Sequence, residues 1–130
     1  MSGTTPPGNS PGREPLAVAD DLSAIFRRLV NAASGLPEVE QSTWYGTPAL
    51  KVRGKGFCRV KDAGTIVLAA SLEDKQMLFE AAPDIYYETE HYRGWPAMLV
   101  RIAAISDEEL SCRMRRSWLL KAPKMLARRL

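Results

Sequence analysis

Hydrophobic positions along the chain follow first a helical and then a strand period. Leu22, Ile25, Phe26, Leu29, Val30 and Ala33 recur at helical spacing after Asp20 and Asp21, which favour a helix N-terminus, and Gly35 suits a helix end. The spacing predicts a first helix from about Asp21 to Ser34. Beyond Leu36-Pro37 the period falls to two. Ala49-Leu50-Lys51-Val52-Arg53, Phe57-Cys58-Arg59-Val60-Lys61 and Thr65-Ile66-Val67-Leu68-Ala69 are strand-type runs, separated by Gly54-Lys55-Gly56 and Asp62-Ala63-Gly64. Gaps with glycine tolerate positive φ and close hairpins, so an antiparallel three-strand meander is expected. Alternation sets Leu50, Val52, Cys58 and Val60 on one face and Lys51, Arg53, Arg59 and Lys61 on the other, with Lys55 at a hairpin tip.

Ser71-Leu72-Glu73-Asp74 has the form of a capping box and predicts a second helix, which Pro83 stops after about Ala82. Ile85-Tyr86-Tyr87-Glu88-Thr89 and Ala97-Met98-Leu99-Val100-Arg101-Ile102 are rich in strand formers, with a turn between them. Ser106-Asp107-Glu108-Glu109 caps a third helix that carries Leu110, Met114 and Trp118 at i, i+4 spacing until Pro123 interrupts it. A short last turn from Pro123 to Leu130 follows. The fold class expected is α+β, a single antiparallel sheet of about five strands with helices on one face, in the order α-β(3)-α-β(2)-α.

With 130 residues, 45% hydrophobic and 25% charged, the chain suits one domain able to fold without metal or disulfide. Met1 to Pro15 hold four of the nine prolines and three of the nine glycines, which predicts a disordered tail ahead of a domain over 16–130. Cys58 and Cys112 lack the short Cys or His spacing of zinc sites and are both read as buried thiols. There is neither a basic segment followed by an apolar stretch at the N-terminus nor an apolar run of about 18 residues, so the expected compartment is the cytoplasm, away from membranes. A monomer is expected.

The formal net charge of +3 is modest, but its distribution is uneven. Lys51, Arg53, Lys55, Arg59 and Lys61 share an acid-free stretch, as do Arg113, Arg115, Arg116, Lys121, Lys124, Arg128 and Arg129. Between Glu73 and Glu90, by contrast, Lys75 stands alone among six acids. A basic sheet face with a hairpin wing suits a phosphate backbone, and it also suits a half-covered sheet that must stay solvated.

Several blocks extend the picture: Leu36-Pro37-Glu38-Val39-Glu40, Trp44-Tyr45-Gly46-Thr47-Pro48, Gly54-Lys55-Gly56-Phe57, His91-Tyr92-Arg93-Gly94-Trp95-Pro96, and Trp118 with Ala122-Pro123-Lys124. Through them, from about Leu22 to Leu126, the chain resembles the MmcQ/YjbR family. The resemblance implies an α-β(3)-α-β(2)-α arrangement like that of secretion-chaperone domains, in agreement with the order read from the periodicities. It further implies DNA binding through a double-winged surface, for which Lys51, Arg53, Lys55, Arg59, Lys61 and Arg93 are the candidate contacts. His91, Tyr92, Gly94, Trp95 and Pro96 form the turn that marks the family.

His91 is the sole histidine and no motif supplies it with a catalytic partner, so it is read as hydrogen-bonded in a turn whose aromatics close one end of the core. Trp44 and Tyr45 could stack on bases, but in a small domain the reading preferred is that they cover the first helix. Asp107, Glu108 and Glu109 are read as a cap rather than metal ligands. No nucleophile with its base, metal cluster or phosphate-cradling loop is evident, so a binding module without catalytic residues, metal or cofactor is expected. The alternative to nucleic acid is a protein or peptide partner docked on a sheet edge or helix face.

Overall fold

The computed structural model describes residues 13–130, with side chains from residue 22 onward. Helix α1 spans Arg13–Ala32 and starts well before the expected Asp21. Pro15 is compatible with this because a first-turn proline forfeits no intrahelical hydrogen bond. The expected tail thus overlaps α1 at residues 13–15, and its remainder lies outside the described residues. Gly35, at φ +91°, turns the chain out of the helix, with the Leu36 amide bonded to the Ala33 carbonyl at 3.1 Å.

Strands β1 (Val39–Trp44), β2 (Thr47–Val52), β3 (Lys55–Asp62) and β4 (Thr65–Ala69) follow as a meander. Helix α2 (Leu72–Ala81) leads to β5 (Tyr86–Tyr87), a 3-10 turn at Glu90–Tyr92, β6 (Ala97–Arg101), α3 (Asp107–Lys121) and α4 (Lys124–Ala127). All pairings are antiparallel and the order is β1-β2-β3-β4-β6-β5. The sheet has six strands rather than five, because Val39–Trp44 forms an edge strand that the periodicities do not reveal.

The hairpin residues also shift. Tyr45-Gly46 and Arg53-Gly54 close the first two hairpins with φ of +55°, +80°, +50° and +80°, the signature of two-residue type I′ turns. The hairpin tip is therefore Arg53-Gly54, and Lys55 opens β3.

The helices cover one face. Leu29 of α1 and Ala33 just after it, Leu78 of α2, Leu110, Met114 and Trp118 of α3 and Leu126 of α4 pack on Leu50, Val52, Cys58, Val60, Ile66, Leu68, Met98 and Val100. Both capping serines accept hydrogen bonds, Ser71 from the Asp74 amide at 3.0 Å and Ser106 from the Glu109 amide at 3.1 Å. The carboxylates of these boxes serve tertiary contacts: Asp74 binds Arg116 at 2.7 Å, Asp107 binds Arg28 at 2.6 Å, and Glu109 accepts from the Tyr86 hydroxyl. Burial, and then this acceptor, push the Tyr86 hydroxyl pKa above its ordinary value.

Cys58 is buried, but Cys112 is exposed, contrary to expectation. Leu110, Met114 and Trp118 set the inward face of α3, and Cys112 falls between them on the outward side. Burial also pushes the Cys58 thiol pKa up. A maleimide should therefore label Cys112 in the native protein and Cys58 only after unfolding, as mass spectrometry of the tryptic peptides would show. Native labelling of Cys58 would contradict this packing.

Candidate functional site

The sheet face away from the helices carries more than solvated charge. Register aligns Ala49, Arg59, Val67 and Leu99 across β2, β3, β4 and β6, and Ala49, Val67 and Leu99 are buried. Trp44, at the end of β1, faces the same side. Its indole occupies the space that a Cβ on Gly56 would need, with ring carbon Cε3 2.5 Å from that position. Tyr45 stacks on Trp44 at 5.5 Å between centroids and is 78% exposed. The pair therefore lies on the open face and does not cover the first helix.

Arg59 is half-buried among these rings. It donates to Thr47 Oγ1 at 3.2 Å and to the Tyr92 hydroxyl at 3.0 Å, and its guanidinium lies 5.2 Å from the centre of the Tyr45 ring. Tyr92 belongs to the loop His91 to Pro96, which crosses this face rather than closing the core. Trp95 is 61% exposed, and His91 is exposed, edge-on to Tyr92 at 5.1 Å, instead of held by turn hydrogen bonds. Within the loop the turn is closed by backbone bonds, among them the Tyr92 amide to the Thr89 carbonyl at 2.9 Å and the Trp95 amide to the Tyr92 carbonyl at 3.0 Å.

Lys75 fixes that loop. The side chain leaves α2 almost wholly buried and donates from Nζ to the carbonyls of Tyr92 at 3.0 Å and Trp95 at 2.8 Å. Its charge is met by Glu88 at 2.7 Å. A buried ammonium is tolerated only when paired and hydrogen-bonded, and here its partners hold both ends of the segment Tyr92 to Trp95.

Between the loop and the Trp44-Tyr45 hairpin lies a cleft of about 440 Å³. Trp44, Tyr45, His91, Tyr92 and Trp95 supply rings to its lining, Val67 and Ala97 contribute from β4 and β6, and Arg59 and Lys121 are its cations. A groove of about 290 Å³, lined by Lys51, Gly54, Lys55 and Gly56, shares Trp44 and Lys121 with it. Among the described residues, no carboxylate lines either hollow.

The six predicted cations divide. Lys51, Lys55 and Arg59 converge here, joined by Lys121, which the sequence placed only within a C-terminal basic run. Arg53, Lys61 and Arg93 are paired instead, with Glu38 at 2.6 Å, Asp62 at 4.0 Å and Glu90 at 3.2 Å. Glu38 also meets Arg129 at 3.2 Å, and its hydrogen bond to Arg53 above all holds its carboxyl below the usual carboxylate range. The supposedly acid-free wing is thus neutralised at its tip by an acid from the loop ahead of β1. Among the described residues no group of three or more His, Cys, Asp and Glu side chains is placed to share a metal ion, and no helix is long and apolar enough to cross a membrane.

Comparison with known proteins places the chain in a family. Uncharacterized proteins of Mycobacterium tuberculosis and Mycobacterium bovis are 40% identical over 52 residues, a match that spans 40% of this chain and 40% of theirs. The crystal structure of Deinococcus radiodurans protein DR2400, a DUF419 domain, shares the fold with a TM-score of 0.57 at 18% identity, covering 79% of this chain and 77% of that one. The sequence profile of the YjbR family matches residues 34–120, so the chain belongs to the YjbR family.

Proposed function

We propose that the chain is a nucleic-acid-binding module that uses the open face of its sheet. One observation carries this reading: Lys51, Lys55, Arg59 and Lys121 line adjoining hollows that no carboxylate enters among the described residues. Such a surface attracts a phosphate backbone, and exposed rings beside it add a sequence-tolerant contact. Binding is expected at micromolar to sub-millimolar strength in low salt, with log affinity falling linearly in log salt. Lys55→Glu and Lys121→Gln should each weaken binding to all sequences and reduce the salt slope by about one. Lys55 is exposed, so its reversal should leave stability within about 0.5 kcal/mol. Titration of isotope-labelled protein with DNA, RNA and heparin tests this, and unmoved chemical shifts at millimolar nucleic acid would dismiss it.

A second reading, a protein- or peptide-binding adaptor, is favoured by the position of β1. Among the described residues this strand ends the sheet with one hydrogen-bonding edge unpaired by another strand, and an extended peptide can add to such an edge.

A further inference from the structure

We propose that the aromatic cleft takes an unpaired nucleobase, so that the ligand of this face is single-stranded nucleic acid rather than duplex. The inference rests on the nucleic-acid reading above and deepens it. Tyr45 and Trp95 are 78% and 61% exposed, on separate loops that line one hollow. Aromatic faces are covered best by another planar ring. A duplex keeps its base faces stacked and offers only edges in its grooves, whereas a single strand can turn a base outward onto such rings.

Size and charge agree. At about 440 Å³ the cleft falls within the roughly 300–1,000 Å³ of small-ligand sites, and it is a recess rather than a projection. The projection that would enter a duplex groove, the Arg53-Gly54 tip, has its charge tied to Glu38. Lys51, Lys55 and Lys121 instead line the groove that continues the cleft, where the phosphates next to a captured base would lie. Rings for bases beside cations for the backbone are the arrangement of single-strand binders. His91 lines the same cleft with ring nitrogens able to meet a base edge.

The test compares a labelled thymidine strand of about ten nucleotides, within the usual site size for such modules, with a duplex of equal length and an abasic strand of equal charge. In low salt the thymidine strand should bind at least about tenfold more tightly than either control and quench tryptophan emission, which the abasic strand should not. Trp95→Ala, and Tyr45→Asn with a residue suited to the I′ turn, should each lower thymidine-strand affinity about tenfold while abasic-strand affinity and circular dichroism stay unchanged. Equal binding of all three ligands, untouched by Trp95→Ala, would overturn the inference and leave the nucleic-acid reading standing. Binding of none would remove both.

Discussion

Lys75→Met is expected to lower the unfolding free energy by about 3 to 5 kcal/mol, although the replacement keeps most of the apolar stem. The loss comes from what remains behind. The carbonyls of Tyr92 and Trp95 lose their ammonium donor, and Glu88, with a side chain only 25% exposed, keeps a charge without its partner. Urea unfolding monitored by circular dichroism gives the stability, and amide shifts from residue 91 to residue 96 report the loop. These shifts should move more than any in the β2–β3 hairpin, and cleft-dependent binding should fall with them. A change below about 1 kcal/mol would show that the loop holds without the lysine.

Trp118→Ala should cost a similar amount, about 3 to 5 kcal/mol, by emptying the centre of the core. Trp118 is fully buried, and its indole N–H donates to the Pro37 carbonyl at 3.0 Å. The alanine variant removes the ring and also strands that carbonyl. Small domains have only about 5 to 15 kcal/mol in total, so the variant sits near the limit of folding. Trp118→Phe keeps most of the packing and should lose about 1 to 3 kcal/mol, chiefly the cost of the unpaired carbonyl. If both substitutions cost the same, packing is not what Trp118 contributes.

What the sequence discloses depends on whether a residue's partners leave a pattern. The helical spacing of Leu110, Met114 and Trp118, the serine caps and the alternation in β2 and β3 are local, and the architecture follows from them. β1 is harder to read because Val39-Glu40-Gln41-Ser42-Thr43-Trp44 sits at a sheet edge with no fully buried position. Only Tyr45-Gly46 betrays its hairpin. The candidate cations were legible as charges but not as free ones, because Arg53 finds Glu38 and Arg129 completes that cluster from the far end of the chain. Lys75 left no signal beyond its isolation among acids, since two of its partners are backbone carbonyls, which every residue possesses. Cys112 departs from the expected burial because thiol burial follows from helix phase, not from residue type.

The bonds of Arg59 have a consequence for selectivity. A guanidinium already tied to Thr47 and Tyr92 and set against Tyr45 has surrendered its rotameric freedom during folding. A ligand that meets it is spared the roughly 0.5 to 1.5 kcal/mol that freezing a mobile side chain would subtract from affinity. The same bonds leave Arg59 itself little freedom to reorient around ill-fitting partners. Arg59→Lys would preserve the charge yet give up the planar, forked geometry, turning a fixed template into an adaptable and less discriminating surface.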